Sequence, residues 1–283
     1  MASDSIGMKS KICLVTGASS GIGKEAAKAL ARMGATVVMV GRGKERSEAA
    51  RDEIVKETAN DSVELVLADF ASLAAVRKLA ADFESAHSRL DILMNNAGTI
   101  PAKRQLSVDG FEMQFAVNHL AHFLLTNLLL DTIMASAPAR IVNTSSGVHM
   151  RAKIDFDNLR AEKGYRFIRA YGQSKLANIL FTYELARRLE GSGVTANCFT
   201  PGMTRTNLGR HIYGIGGFVF KSLGRSPEEG ARTAVYLASS PDVAGVTGKY
   251  FADCREARSS DVSHDAELAR RLWDVSQKMA GLS

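Results

Sequence analysis

Short apolar runs alternate with amphipathic runs along almost the whole chain of 283 residues. The first apolar run is KICLVTG from Lys11, and the segment after it places Ile22, Ala26 and Leu30 at helical spacing. Alternation of this kind predicts strands joined by crossover helices, which is the pattern of a parallel sheet covered on both faces. Because no linker rich in proline or serine interrupts the pattern, we expect one α/β domain over residues 1–283.

The composition narrows the classes of partner. Hydrophobic residues make up 46% of the chain and the formal net charge is +6, but the basic residues are spread out and form no stripe with interleaved aromatics. This distribution argues against nucleic acid and indicates a mild preference for phosphorylated or acidic small molecules. Cys13, Cys198 and Cys254 form neither a CxxC nor a Cys/His pattern, so the sequence predicts no metal site and reduced thiols.

No segment has the length and composition of a membrane span. The first residues, MASDSIGMKSK, contain no signal-peptide core, and the richest apolar run, FLLTNLLL, is interrupted by Thr126 and Asn127. We therefore expect a soluble, cytoplasmic protein without a transmembrane segment. Residues 210–224 keep neither the strand nor the helix period, which predicts a mobile flap over a substrate. The apolar residues in 212–220 are equally consistent with binding of an apolar substrate, with peripheral contact with a membrane surface, and with an ordinary lid over a pocket.

The stretch TGASSGIGK joins the first predicted strand to the first predicted helix. Gly17, Gly21 and Gly23 would let backbone N–H groups approach a pyrophosphate at the positive end of that helix. A strand-to-helix turn without a ligand is the alternative, because glycine is common in tight turns. The same loop supplies three further predicted cofactor contacts, Ser19, Ser20 and Ile22.

The end of the second predicted strand bears on the choice between NAD and NADP. Its sequence, MVGRGKER, has no carboxylate for a ribose 2′-hydroxyl. Arg42 could instead bind a 2′-phosphate with its planar fork, helped by Lys44 or Arg46, so NADP(H) is preferred over NAD(H). Solvated charges at a helix start are the alternative for Lys44 and Arg46. Asp69 could accept a hydrogen bond from the adenine amine or could cap a helix.

Tyr171 and Lys175, four residues apart in YGQSKLANILF, lie on one face of a predicted helix. Ionising a phenol near pH 7 costs about 4 kcal/mol. A cation at about 4 Å in an effective dielectric near 20 offsets about that much. The pair therefore predicts a tyrosine that exchanges a proton at neutral pH, with Lys175 lowering its pKa. A core tyrosine beside a snorkelling lysine is the alternative.

Other polar residues are expected near this pair. The strand IVNTSSGV ends in Ser145 and Ser146, at the edge where open α/β sheets bind ligands, so a hydroxyl there could hold a carbonyl or alcohol oxygen. Plain turn serines are the alternative. Asn118 lies in the apolar run FAVNHLAHFLL, where it could hold a water or a backbone distortion beside Lys175.

Three histidines attract attention for different reasons. His149 follows the serine strand and could line a substrate pocket. His119 and His122 lie on a mostly apolar helix without carboxylates or cysteines at metal spacing, so we expect packed or capping residues rather than ligands.

Six motifs in their order along the chain resemble the short-chain dehydrogenases/reductases. They are the glycine loop, NNAG from Asn95, Asn118, the serine pair, Tyr171 with Lys175, and the Pro-Gly at Pro201. The resemblance implies a Rossmann-like doubly wound parallel sheet of about seven strands. It implies that Tyr171 is the acid and base and that Lys175 lowers its pKa and holds the nicotinamide ribose. Ser146 would orient the substrate, with Ser145 as the fallback, and Asn118 would complete a water-mediated proton relay. Further implied cofactor contacts are Asn95, Ala97, Gly98, Tyr171, Lys175, Pro201, Gly202 and Thr204.

Longer stretches are similar to the retinol dehydrogenase group within that family. The likeness lies in DGFEMQFAVNHLAHFLLTNLLL, SKLANILFTYELARRL and ARRLWDVS, and in the spacer with IDFDNL between Ser146 and Tyr171. It implies NADP(H)-dependent interconversion of a carbonyl and an alcohol on an apolar substrate, such as a retinoid or a lipid-derived aldehyde. The alternatives are a carbonyl reductase acting on a steroid, xenobiotic or small ketone, and a non-catalytic NADP-sensing or scaffold protein. Many relatives are dimers or tetramers and some membrane-linked ones are monomers, so a homo-oligomer stays open.

Overall fold

The computed structural model describes residues 7–205 and 224–282. The flap predicted over residues 210–224 therefore lies outside the described residues, apart from Gly224. Within the described ranges, eight strands form one sheet in the order β3-β2-β1-β4-β5-β6-β7-β8. The strands are β1 Ile12–Thr16, β2 Thr36–Gly41, β3 Val63–Leu67, β4 Ile92–Asn95, β5 Ala139–Thr144, β6 Val194–Thr200, β7 Tyr250–Ala252 and β8 Arg255–Glu256.

Strands β1 to β7 are parallel, and only the two-residue β8 is antiparallel to its neighbour, β7. The predicted fold class, a Rossmann-like doubly wound parallel sheet in one α/β domain, is confirmed. The additional strand arises because Asp253 and Cys254 adopt positive φ and turn the chain back on itself directly after β7. The strand order reverses between β1 and β4, which is where open α/β sheets leave a ligand crevice.

Helices cover both faces of the sheet. They are α1 Gly21–Arg32, α2 Lys44–Thr58, α3 Leu73–Ala86, α4 Met113–Phe115, α5 Ala121–Leu128, α6 Leu130–Ala135, α7 Phe167–Arg188, α8 Pro227–Ser239 and α9 Ala266–Ala280. Helices α1, α2 and α8 pack on one face, and α3, α5 and α7 on the other. The helical segment that contains His119 and His122 begins at Met113 and includes a π-helical turn, Ala116–Leu120.

The C-terminal helix α9 closes the second face by packing against α7 and α5. The Trp273 ring lies 4.9 Å from the Phe123 ring and 5.8 Å from the Phe181 ring, measured between centroids. Aromatic packing of this kind buries large apolar area and holds α9 firmly on the domain. None of the helices in the described ranges combines the length and the apolar composition that crossing a membrane requires.

Candidate active site

The carboxyl ends of β1, β4, β5 and β6 meet at one edge of the sheet, because parallel strands all end there. The segments that follow these four strands are the glycine loop, NNAG, the serine pair and the Pro-Gly. The fold thus brings four of the six sequence motifs to the crevice at the reversal of strand order.

The turn after β1 is compact because its glycines leave no space for side chains. Gly17 has φ +69° and Gly21 has φ +58°, in the left-handed region that glycine tolerates. A Cβ on Gly23 would lie 2.4 Å from Asn96 Nδ2 and 2.5 Å from the Gly17 carbonyl oxygen. Glycine at these positions therefore lets the backbone turn tightly from β1 into α1.

The first turn of α1 can accept an anion. Ser20 precedes the helix without a side-chain bond to its first turn, and that turn contains no acidic residue. Its backbone N–H groups and the positive end of the helix dipole suit a pyrophosphate. Ser19 is buried and Ile22 half-buried beside this turn. The turn therefore fits the dinucleotide that the sequence predicts.

We expect Gly23→Ala to disrupt this loop, because the new methyl group would have to displace Asn96 and the Gly17 carbonyl. The cost should be about 1–3 kcal/mol of unfolding free energy, together with weaker dinucleotide binding. Gly43→Ala is the matched control, because nothing lies within 4 Å of a Cβ built there. Urea unfolding and cofactor titration measure the two effects. Equal results for both variants would contradict the expectation.

The two asparagine side chains of the NNAG segment lie in different surroundings, one in the interior and one at the glycine loop. Asn95 is buried, and its Nδ2 donates to Thr126 Oγ1 at 2.9 Å and to Asn143 Oδ1 at 2.8 Å. Asn96 Nδ2 instead donates to the Thr16 carbonyl oxygen at 3.0 Å, directly under the glycine loop. The position of Asn95 therefore does not support the cofactor contact predicted for it, and Asn96 is the residue that stabilises the loop.

Charged residues follow β2 and β3 at the same edge. Arg42, Lys44 and Arg46 are exposed, and the ion pairs found within the described ranges involve none of them. Asp69 Oδ1 accepts from the backbone N–H two residues further on at 2.9 Å. The side chain that caps α3 belongs to Ser72, so Asp69 stabilises the turn before the helix rather than the helix itself.

Helix α7 carries Tyr171 and Lys175 one turn apart, next to the end of β5. Lys175 Nζ lies 5.5 Å from the centroid of the Tyr171 ring and donates to the Thr144 carbonyl oxygen at 3.1 Å. The Ser146 side chain lies close enough to the Tyr171 hydroxyl to lower the pKa of the phenol in part. Ser145 is engaged elsewhere, because its buried Oγ donates to the Lys175 carbonyl oxygen at 2.8 Å. This geometry favours Ser146 over Ser145 as the partner of the phenol.

The electrostatics of the pair differ from the expectation that Lys175 lowers the pKa of Tyr171. Although Tyr171 is only half-buried, its low-dielectric surroundings raise its pKa to about 12, and the nearby Ser146 side chain opposes this only in part. Burial also lowers the pKa of Lys175 to about 8. Low-dielectric surroundings penalise the charged form of each group. The protein's own groups therefore keep the phenol protonated and make the lysine easier to deprotonate.

Asn118 lies in the π-helical turn Ala116–Leu120, so the backbone distortion expected beside Lys175 is present. Its Oδ1 accepts from the Thr99 N–H at 2.8 Å and so positions the segment after β4 that contains Ala97 and Gly98. Its carbonyl oxygen accepts from Asn178 Nδ2 at 2.9 Å and is 3.2 Å from a ring nitrogen of His122. The π-helical turn therefore directs the Asn118 carbonyl toward side chains of α5 and α7.

Comparison with known proteins decides the family. The family model for short chain dehydrogenases matches residues 11–213. The chain belongs to the short chain dehydrogenase family. It is 45% identical to human Retinol dehydrogenase 14 over 97% of this chain and 88% of that protein, and 48% identical to human Retinol dehydrogenase 13 over 96% and 85%. Proteins of this family interconvert carbonyls and alcohols with a nicotinamide cofactor, so the chain is an oxidoreductase.

Solved structures agree with the family assignment. An uncharacterised protein from Mycobacterium paratuberculosis superposes with a TM-score of 0.80 at 34% identity, covering 98% of this chain and 96% of that one. A short chain dehydrogenase from Shigella flexneri, complexed with NADP, superposes with a TM-score of 0.72 at 27% identity, covering 88% and 99%.

In the present chain, the Pro-Gly segment after β6 lies against α8. Gly202 has φ +70°, and Thr204 Oγ1 donates to the Pro201 carbonyl oxygen at 3.0 Å. A Cβ on Gly230 of α8 would lie 2.6 Å from Thr204 Oγ1. The close approach of Thr204 to α8 holds the Pro-Gly turn at the side of the crevice.

The His149 ring contacts backbone groups of Ser146 and Ser260. Its Nδ1 is 2.7 Å from the Ser146 carbonyl oxygen, and its Nε2 accepts from the Ser260 N–H at 3.1 Å. Because both ring nitrogens are engaged and the ring is buried, this geometry speaks against the predicted contact of His149 with the substrate. The residue ties the end of β5 to the segment before α9.

The sequence analysis did not predict a role for two polar residues near the site, Asn96 and Asn178. Asn96 supports the glycine loop, and Asn178 contacts the carbonyl oxygens of Asn118 and Thr144 at 2.9 and 3.0 Å. The signal that singled out Asn118, a poor helix former at a position that favours packing, applies equally to Asn178 in the run KLANILF. The sequence offered no comparable signal for Asn96. Asn95 and Asn96 are adjacent in the NNAG motif, and the motif alone does not tell which of the two side chains faces the glycine loop.

Proposed function

We propose that the chain is an NADP(H)-dependent oxidoreductase that interconverts a carbonyl and an alcohol on an apolar substrate, such as a retinoid or a lipid-derived aldehyde. The observation that carries the proposal is the Tyr171 ring with Lys175 Nζ 5.5 Å from its centroid and the Ser146 side chain near its hydroxyl, at the sheet edge where the glycine loop also lies. A proton donor, an orienting hydroxyl and a dinucleotide turn are the parts that a carbonyl reduction needs.

In the proposed reaction, the substrate oxygen lies between the hydroxyls of Ser146 and Tyr171. Because burial keeps the phenol protonated, Tyr171 holds the proton that the developing alkoxide takes up. When bound, a nicotinamide cofactor would supply or accept the hydride, and its oxidised ring would add a positive charge that favours the phenolate. Lys175 would hold the nicotinamide ribose, and its ammonium charge would favour the same phenolate.

The choice of NADP(H) rests on charge at the end of β2. Arg42 is exposed there with Lys44 and Arg46 nearby in sequence, and all three guanidinium or ammonium groups are available to an anion. A planar guanidinium binds a phosphate in a bidentate manner, which a carboxylate at this position would prevent. Solved relatives that are complexed with NADP add support.

The choice of an apolar substrate rests on side chains around the crevice. Val148 and Met150 follow Ser146, Ile168 lies one turn before Tyr171, and all three are exposed large hydrophobic residues. Met203, after the Pro-Gly, is 46% exposed. Apolar surface around a polar catalytic group suits a substrate with one oxygen and a long hydrocarbon part. Relatives named retinol dehydrogenases favour the same class.

The deciding experiment measures initial rates with NADPH and with NADH on all-trans-retinaldehyde, a long-chain aldehyde, a steroid ketone and a small ketone. We expect NADPH oxidation with the first two substrates and much less with the small ketone. Fast turnover of the steroid or small ketone alone would favour another carbonyl reductase. NADPH binding without any turnover would favour the sensing or scaffold alternative.

For Arg42→Ala, we expect the KM for NADPH to rise about 10- to 100-fold, because a hydrogen bond to a charged group contributes about 1.5–3 kcal/mol. The KM for NADH should stay within about twofold, since NADH lacks the phosphate that Arg42 would bind. Arg32→Ala, at the far end of α1, is the matched control and should change neither constant. An unchanged ratio of the two KM values in Arg42→Ala would show that Arg42 does not select the cofactor.

A further inference from the structure

Below Lys175, a chain of buried side chains connects α7 to the C-terminal helix. Asn178 Nδ2 donates to the Thr144 carbonyl oxygen, which is also the acceptor of Lys175 Nζ. Asn178 Oδ1 lies 3.3 Å from His119 Nδ1, and His119 Nε2 lies 2.9 Å from Ser276 Oγ in α9. His119 and Ser276 are fully buried, and Asn178 is 3% exposed. Solvent therefore cannot replace any of these bonds.

The direction of every bond in the chain follows from chemistry. Two carbonyl oxygens, those of Asn118 and Thr144, face one end of the Asn178 amide and can only accept, so that end is the NH₂ group. The other end is then the acceptor Oδ1, which requires His119 to carry its proton on Nδ1. His119 Nε2 is then the acceptor, and the Ser276 hydroxyl donates to it.

We propose that Ser276, His119 and Asn178 form a positioning relay that holds the Thr144 carbonyl oxygen, the acceptor of Lys175 Nζ, together with the Asn118 carbonyl oxygen, so that α9 supports the active site. The proposal rests on the proposed function, because it assigns Lys175 its place in that reaction. The three residues are positioning residues, since none of them contacts Tyr171 or Lys175 through its own side chain.

The relay explains why polar groups lie in an otherwise apolar layer. A buried amide or imidazole without partners costs free energy, so a chain of three such groups persists only where each satisfies the next. Asn178, the member of the relay nearest the active site, donates to the Thr144 carbonyl oxygen, which also accepts from the Lys175 ammonium. A shift of the Thr144 carbonyl would move that ammonium relative to Tyr171, and small displacements of catalytic groups reduce turnover strongly.

The first test is spectroscopic and needs no turnover. Long-range ¹H–¹⁵N spectra of the full chain with ¹⁵N-labelled histidine report the tautomer of each ring, and His119→Gln assigns the His119 signals by their loss. We expect His119 to carry its proton on Nδ1 at pH 7. A proton on Nε2 would overturn the relay, because Nδ1 and Asn178 Oδ1 would then be two acceptors facing each other without a proton between them.

The second test separates positioning from stability. Ser276→Ala removes one hydroxyl whose only partner in the described residues is His119, and we expect kcat to fall about fivefold with the KM for NADPH unchanged, since a neutral hydrogen bond is worth about 1 kcal/mol. Ser239→Ala is the matched control, because its buried hydroxyl donates only to the Val235 carbonyl within α8. Equal kcat values in the two variants would overturn the link to α9.

Asn178→Leu removes the amide that the two carbonyl oxygens share. We expect a folded protein, judged by circular dichroism, with a kcat about 10- to 100-fold lower. An unchanged kcat would overturn the proposal, and Ser276→Ala decides it if Asn178→Leu does not fold. If the wild-type chain turns over no substrate, the proposed function fails, and the His119 tautomer alone then decides whether the relay has the stated direction.

Discussion

Replacing Tyr171 by phenylalanine is expected to lower turnover about 10²- to 10⁴-fold, which is the usual contribution of a positioned acid or base. The substitution removes one oxygen, the phenolic oxygen near Ser146, and leaves the ring next to Lys175. Because the glycine loop and α1 are untouched, the Kd for NADPH, measured by calorimetry, should stay within about twofold of the wild-type value. The proton that the substrate oxygen needs would then have no donor.

The matched control for this variant lies on the same helix. Tyr183 in α7 also has a buried hydroxyl with a partner, Ser259 Oγ at 2.8 Å. Tyr183→Phe therefore removes a comparable hydrogen bond at a distance from the crevice, and we expect normal turnover. Turnover in Tyr171→Phe that matches Tyr183→Phe would rule out Tyr171 as the proton donor.

A second large effect should appear in the pH dependence of stability. Burial lowers the pKa of His119 to about 4 and that of His122 to about 3. In the unfolded chain a histidine titrates near pH 6.5, so below that pH the unfolded state binds more protons than the native state. The stabilisation from the neutral rings is thus complete above about pH 6.5 and is lost as pH falls. At pH 5 the loss is about 2 kcal/mol for each ring, or about 4 kcal/mol together.

Other groups also contribute. Burial lowers the pKa of His149 as well, so its neutral ring adds a loss of the same sign as pH falls. The low pKa of Asp91, held by Arg89 and Lys11 against the effect of burial, matters below about pH 4. Glu112 acts in the opposite sense, because burial raises its pKa and lets the native state take up a proton earlier. The three buried histidines, His119, His122 and His149, should therefore dominate between pH 6.5 and 5.

Urea unfolding at several pH values between 7.5 and 5 measures the effect. His119→Gln should reduce the slope of unfolding free energy against pH, and Ser239→Ala, which removes a buried hydroxyl but no titratable group, should leave the slope as it is. A wild-type stability that is constant from pH 7.5 to 5 would mean that the buried rings take up protons as readily as exposed ones.

The order of strands and helices could be predicted from periodicity because each element buries one face, and the burial pattern repeats at the period of that element. The reversal after β7 could not, since two residues with positive φ, Asp253 and Cys254, turn the chain where the apolar pattern of GKYFADC continues. The π-helical turn around Asn118 was foreseen as a distortion, because asparagine is a poor residue for the interior of a helix. Its effect on the Asn118 carbonyl required the packing of α5 against α7.

Local spacing was enough to place Tyr171 and Lys175 on one face, since that relation depends only on the helical period. It was not enough for the choice between Ser145 and Ser146, because neighbouring residues at a strand end point to opposite sides and only the docked helix α7 distinguishes them. The cofactor contact predicted for Asn95 lost its support for the same reason, as Asn95 faces Asn143 in the interior while Asn96 faces the glycine loop.

The amino-acid sequence by itself determined the fold class, the glycine turn and the tyrosine-lysine pair, because each depends on residues close together in the chain. Only the tertiary structure decided which polar groups meet and how easily they ionise. The pKa of Tyr171 is above its ordinary value although a lysine lies nearby, and the buried connection from Lys175 to α9 joins residues more than 100 positions apart. Burial and long-range partners are properties of the packed chain, so no local pattern contains them.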